Sequence, residues 1–375
     1  MIKQTNGKFF CALLLFVGIL LPNKFAWCAE NQKVVFINER EKKPDGGYST
    51  SDKYDIYIIN YDGTGLKKLA EKGINPVPSP DGKKIAFIPI RILEDQLGVS
   101  VINVDRTEKR DVVKRAPMEG GVTAFYSFLR WSPDSTKIAY VFASGKGTQQ
   151  KVTSWVVDIT TGEKKELSFN LENIPVLSWS QDSNEILAGS LSKPNRYVVI
   201  NIKTDEKKIL PIEKLDITPN KLVLLDRKKL LFYKDLFFWT INRDGSNMQQ
   251  LMRIGNLLET GAFLKTDFIL LTEKKVRMLI DESQNEKPGV KLYEADLATG
   301  KLSPITRIVD SSFGYLGLFS KDGKKVLNFV EDRKNFTQKL TVNDVKTGKE
   351  YILCDPWKTF RQETFVGYEN VNWVN

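Results

Sequence analysis

The chain has 375 residues, 41% of them hydrophobic and 27% charged, which supplies apolar mass for a packed core and excludes a disordered chain. It contains no histidine, which excludes Ser-His-Asp and Cys-His nucleophilic machinery, His-ligated zinc or copper, and haem on a histidine ligand. The formal net charge of +10 comes from basic residues scattered among acids, the pattern of a solvated surface rather than of a nucleic-acid groove.

At the start of the chain, Lys3 and Lys8 precede the apolar run Phe9–Leu21, which is short for a membrane span, and Ala26–Ala29 offers small residues for cleavage. This is the pattern of a secretory signal peptide. Residues 1–29 are therefore read as a leader and 30–375 as one domain, exported to the periplasm or outer surface of a bacterium. Trp27 stands where a lipobox needs a small residue, so acylation of Cys28 is not expected. Loss of the leader takes Cys11 and Cys28 and leaves Cys354 alone, so no internal disulfide is expected. Lys3, Lys8 and Lys24 leave with it, lowering the net charge by three. Nucleic acid is not an expected partner, and membrane contact is expected only through the leader or a neighbouring partner. The chain is read as a monomer.

From there one pattern recurs. An alternating strand runs into a turn opened by Asn or Asp at Asn60, Asn103, Asp158, Asn201, Asn242, Asp296 and Asp344. The seven copies are spaced by 41 to 55 residues, and their strands are rich in Ile, Val, Tyr and Trp. The turns supply Asn, Asp and Gly where positive φ is needed. No segment carries a long helical period.

A second turn sits inside each repeat. Its best copies are Ser79–Lys84 (SPDGKK) and Ser132–Lys137 (SPDSTK), and Ser180–Glu185 (SQDSNE) and Ser320–Lys325 (SKDGKK) repeat it without the proline. Proline at the second position with Asp-Gly or Asp-Ser after it suits a tight type I turn with a bulge, joining the first two strands of each unit. In two weaker copies, Asp226–Lys229 and Glu273–Lys275, the proline is gone but the pair of flanking strands remains. Each unit is thus four antiparallel strands, and the fold class is all-β: a seven-bladed β-propeller, with six blades as the alternative. The segment Lys33–Arg40 reads as the second strand of a blade and Asn370–Asn375 as a first strand. The two ends are expected to share one blade and close the ring, which removes the open sheet edges.

The W-S-P-D-G-K-K-I-A-F pattern followed by an I-Y-x-x-x-x-D-G turn is carried by Ser79–Phe87, Trp131–Tyr140, Trp179–Leu187, Phe319–Leu327 and Ile56–Gly63. It resembles the WD-like repeat of TolB-type β-propellers, and it implies the propeller domain alone. TolB has a mixed α/β domain and a partner-binding segment before its propeller, whereas here only Glu30–Gln32 precede the first strand. Prolyl-oligopeptidase-type proteins carry a hydrolase domain after their propeller, but this chain has no G-x-S-x-G elbow.

Asp81, Asp134, Asp182 and Asp322 invite a metal or acid–base role. The turn they occupy favours a simpler one, accepting hydrogen bonds from their own backbone. Trp131, Trp179 and Trp373 are read as wedges between blades, and Cys354 as an inert thiol on an outer strand. The loops carry the functional expectation. Glu39–Lys53, Ala143–Lys151 and Glu282–Gly289 join second to third strands. Asp355–Tyr368 leads into the closing strand on the same face, and its Trp357, Phe360, Arg361, Phe365 and Tyr368 are residue types enriched at interface hot spots. These five form the candidate partner-binding set. No cofactor is expected, although calcium in the central channel is left open.

The sequence thus points to an exported, non-catalytic scaffold that binds a protein or cell-envelope component. The alternative is a carboxylate-dependent glycan-active enzyme, a lyase or hydrolase, with its site in the channel. Oligogalacturonate lyases have a similar repeat but use histidines absent here. A small-molecule or metal sensor is a third reading.

Overall fold

Alternation explains the sheets, and continuous apolar runs explain how they stack. A computed structural model describes residues 32–39, 54–89, 96–117, 123–146, 149–167, 176–189, 196–212, 215, 222–226, 228–235, 237–254, 263–264, 269–272, 274–281, 289–310, 318–320, 322–332, 337–354 and 371–374. The expected leader lies outside them. Among the described residues the structure is all-β, and Asn31–Asn375 forms one unit.

Blade 1 begins with β1 (Lys33–Glu39), β2 (Tyr54–Asn60) and β3 (Lys67–Ala70). Blade 2 is β4 (Gly73–Pro78), β5 (Lys84–Pro89), β6 (Gln96–Asn103) and β7 (Arg110–Pro117). Blade 3 is β8 (Thr123–Trp131), β9 (Lys137–Lys146), β10 (Gln149–Asp158) and β11 (Lys164–Leu167). Blade 4 is β12 (Val176–Trp179), β13 (Glu185–Gly189), β14 (Tyr197–Asn201) and β15 (Lys207–Leu210). Blade 5 is β16 (Leu222–Leu224), β17 (Lys229–Lys234), β18 (Phe237–Asn242) and β19 (Gln249–Arg253). In blade 6 the inner position is split between β20 (Phe263–Leu264) and β21 (Ile269–Thr272). Both pair with β22 (Lys275–Asp281), which is followed by β23 (Gly289–Asp296) and β24 (Lys301–Asp310). Blade 7 is β25 (Leu318–Phe319), β26 (Lys325–Asp332), β27 (Thr337–Asp344) and β28 (Glu350–Cys354).

The last strand, β29 (Val371–Val374), returns to blade 1 and pairs antiparallel with β1, in the register Lys33 to Val374 and Phe36 to Val371. The chain is therefore a seven-bladed β-propeller closed by its first and last strands, and the six-bladed alternative falls.

Among the described residues, the first strands of blades 7, 1, 2, 3, 4 and 5 touch their neighbours in turn. The middle strands are buried on both faces because a neighbouring blade covers each face. Ile85 and Phe87 point into the seam between blades 1 and 2, while Ala86 and Ile88 point into the seam between blades 2 and 3. The described core accordingly falls into seven clusters, one per seam. Each fully buried Ile, Leu or Phe contributes about 1.5–3 kcal/mol. Three outer strands, β3, β11 and β15, are short and carry lysine pairs, Lys67-Lys68, Lys164-Lys165 and Lys207-Lys208, which blunts edge pairing.

One expected loop is corrected. Ala143–Lys151 is mostly hairpin: β9 and β10 stay paired out to Lys146 and Gln149, and β8 follows them through Thr123 and Gly145. The small and polar residues there read as loop, but a third strand supplies the pairing that keeps them extended.

Candidate functional site

The repeated turn was the first candidate for chemistry, and its hydrogen bonds assign its atoms. Ser79, Ser132, Ser180 and Ser320 are all buried. Each hydroxyl donates to the Asp two residues on, at 2.5 Å to Asp81, 2.5 Å to Asp134, 2.6 Å to Asp182 and 2.7 Å to Asp322. The same hydroxyls accept the backbone N–H of Lys84, Lys137, Glu185 and Lys325 at 2.9–3.0 Å. The carboxylates also accept from the N–H groups of Lys83, Thr136, Asn184 and Lys324. One oxygen of each Asp is therefore engaged by its own turn, the Asx-type use of this residue.

Electrostatics follow from that geometry. Partial burial pushes the Asp81, Asp134 and Asp322 carboxyls up, but the serine hydroxyls, the turn amides and nearby lysines outweigh it. All three are held below the usual carboxylate range. They are stable anions, not acids poised to give up a proton near neutral pH.

The turns also bind blade to blade. Their fourth residue is left-handed: Gly82 (φ 69°), Ser135 (φ 60°), Ser183 (φ 58°) and Gly323 (φ 65°). Where this residue is serine, its hydroxyl reaches the preceding blade. Asp81 N–H donates to Ser135 Oγ and Asp134 N–H to Ser183 Oγ, both at 3.1 Å. Trp131 and Trp179, 7% and 9% exposed, make a second link. Trp131 Nε1 donates to Val77 O at 2.8 Å, and Trp179 Nε1 to Arg130 O at 3.1 Å. The wedge role expected for these two tryptophans is what the structure shows, with a hydrogen bond added. The side chain of Trp373 lies outside the described residues, as does that of Cys354.

On the rim formed by these turns, a cleft of about 640 Å³ spans three blades and is lined by Pro80, Trp131, Pro133, Asp134, Asp182 and Ser183. A second cleft, of about 400 Å³, opens at the seam of blades 4 and 5 beside Arg243 and Glu185. Arg243 Nη1 donates to Glu185 Oε2 at 2.6 Å. Sequence reasoning singled out neither residue of this pair, because a lone Arg and a lone Glu in turns look like surface.

Trp357, Phe360, Arg361, Phe365 and Tyr368 all lie outside the described residues, so the candidate partner-binding set rests on sequence alone. Among the described residues there is no group of three or more His, Cys, Asp or Glu side chains able to hold a metal ion. Calcium in the channel is assigned no ligands.

No family model matches the chain, and no curated protein matches it in sequence. Solved structures do match. The β-propeller domain of the Trilobed protease from Pyrococcus furiosus is 17% identical, with TM-score 0.55 over 86% of this chain and 92% of that one. An oligogalacturonate lyase from Vibrio parahaemolyticus is 14% identical, with TM-score 0.52 over 86% of each chain. TolB from Acinetobacter baumannii is 13% identical, with TM-score 0.44 over 91% of this chain and 66% of that one. The chain also spans about half the length of several peptidases that it matches. At these identities the likeness to the protease propeller domain and to the lyase shows a β-propeller fold and nothing about activity.

Proposed function

We propose that this chain is an exported, non-catalytic propeller scaffold that holds a protein or cell-envelope component through the face carrying the Asp355–Tyr368 loop. The observation that supports this most is the assignment of the repeated acids and tryptophans. Each described Asp of the Ser-Asp turn serves its own backbone, and Trp131 and Trp179 serve the seams. The residues whose repetition suggested chemistry are thus occupied in building the ring. Loops are left as the carriers of function, the usual division of labour on a rigid scaffold.

The test is capture. The exported chain is crosslinked in its host cell, and what it holds is compared with the triple variant Trp357→Ala, Phe360→Ala, Arg361→Ala. The expected result is a partner lost in the variant while its melting temperature is unchanged. Equal capture by both would remove this loop from the scaffold reading. Turnover of a pectic or envelope glycan by the purified chain would replace that reading with the catalytic one.

A further inference from the structure

The repeat sets a template for the face that each blade turns to its neighbour. Four positions of the middle strands meet at a seam, two from the second and third strands of one blade and two from those of the next. Between blades 1 and 2 they are Val35 and Ile58 against Phe87 and Ile102, all buried. The same four positions are apolar or aromatic between blades 7 and 1, 2 and 3, 3 and 4, and 4 and 5. Between blades 5 and 6 three are apolar, Leu231, Met278 and Ala295, and the fourth is Thr240.

Between blades 6 and 7 all four are polar: Arg277 and Glu294 against Asn328 and Asn343. Strand register fixes the face they share. Arg277 pairs with Glu294, two residues from Leu292, and Asn343 pairs with Val326, two residues from Asn328. Leu292 and Val326 belong to the apolar cluster of this seam. Within blade 6, Arg277 Nε and Nη2 donate to Glu294 Oε2 at 3.1 and 3.0 Å. Within blade 7, Asn328 Nδ2 donates to Asn343 Oδ1 at 2.7 Å, and the two residues are 1% and 3% exposed. Thr341 stands opposite Asn328 on the same face, and its buried Oγ1 finds no hydrogen-bond partner among the described residues. Arg277 Nη1 reaches across the seam to Gly323 O in the turn of blade 7.

Parting an apolar seam exposes Ile, Val and Phe to water, which opposes opening in proportion to the area uncovered. Parting this one leaves the Arg277–Glu294 and Asn328–Asn343 pairs intact, because each belongs to one blade. Water replaces Arg277 at the Gly323 carbonyl and supplies the partner that Thr341 Oγ1 lacks when the seam is shut. We propose that the ring parts reversibly at the seam between blades 6 and 7 while its other seams stay shut. This opening is independent of the loop surface argued above.

Thiol labelling tests it. Val34, Val276 and Val326 hold the same place in the repeat, second in the second strand, and all are 0% exposed. They face the seams between blades 7 and 1, 5 and 6, and 6 and 7 respectively. Each is changed singly, as Val34→Cys, Val276→Cys and Val326→Cys, in the chain carrying Cys11→Ser, Cys28→Ser and Cys354→Ser. Melting curves check that the three are equally stable, and each labelling rate is referred to that of the unfolded variant. Val326→Cys is labelled about tenfold faster or more than either of the others, as opening short of global unfolding requires. Asn328→Met with Asn343→Ala gives blade 7 the pair that blade 6 carries at Met278 and Ala295, and slows the labelling of Val326→Cys several-fold. If that double variant does not fold, the three single variants decide. The proposal is overturned if Val326→Cys is labelled no faster than Val276→Cys, or if a folded double variant leaves its rate unchanged. It is equally overturned if Val34→Cys keeps pace with Val326→Cys, because blade 7 would then be detaching from both neighbours.

Discussion

The seams on either side of blade 3 and the seam between blades 4 and 5 solve the same problem in different ways. Around blade 3, a serine hydroxyl and an indole N–H cross from one blade to the next, and the apolar cluster between blades is uninterrupted. Between blades 4 and 5 the cluster persists, but no tryptophan marks β16, and the turn after it keeps only Asp226, which accepts from the N–H groups of Lys228 and Lys229. There Glu185 meets Arg243 at 2.6 Å, whereas the seam between blades 7 and 1 sets Lys325 over the Tyr61 ring. The comparison teaches that the strongest motif in the sequence is scaffolding.

The largest effect should come from the tryptophan link. Trp131→Ala is expected to cost about 3–5 kcal/mol, from lost burial and the cavity left in the blade 2–3 cluster. Trp131→Phe should cost about 1 kcal/mol for the hydrogen bond to Val77 O, plus any loss of contact area. Denaturant unfolding measures both. A loss under 1 kcal/mol for the alanine variant would mean that this seam is not held as described.

A smaller effect sharpens the role of Ser135. Its φ of 60° costs a non-glycine residue, and its hydroxyl repays this by accepting Asp81 N–H. Ser135→Ala keeps the strain and loses the bond, while Ser135→Gly loses both, so alanine should be less stable than glycine by about 1 kcal/mol. Equal stability of the two variants would show that the left-handed geometry is not a constraint there.

The smallest effect is in pH. The Asp81, Asp134 and Asp322 carboxyls are depressed below 3.8 in the folded chain, so their contribution is present above about pH 4 and is lost as pH falls through the folded values. Stability should be flat from neutral pH to about pH 4 and fall below it. Asp134→Asn should flatten that fall, as melting curves taken across the acid range would record. An unchanged acid profile in Asp134→Asn would separate the turn from the acid response.

Much of this was legible in the chain itself. The Asn or Asp turn openings predict seven blades, and the apolar ends of the chain predict their shared sheet, because alternation and turn chemistry act over a few residues. The same local logic identified the Asp residues as turn acceptors. It did not reveal Ser135 and Ser183 as links: from sequence they look like replacements for glycine, and their partners stand 54 and 49 residues away. It misread Ala143–Lys151 because the pairing that orders those residues comes partly from β8. It passed over Glu185 and Arg243, although aligning the repeats on their Asn and Asp positions would have exposed both as exceptions.

Sequence by itself determined the strand order and the closing of the ring and narrowed the blades to seven or six, since each depends on periodicity and on turns confined to one unit; the seven separate sheets of the fold decided the count. Tertiary structure decided which residues meet across the seams: Trp131 with Val77, Asp81 with Ser135, Arg243 with Glu185. Those meetings depend on how two twisted sheets stack face to face, and no local pattern within either sheet carries that information.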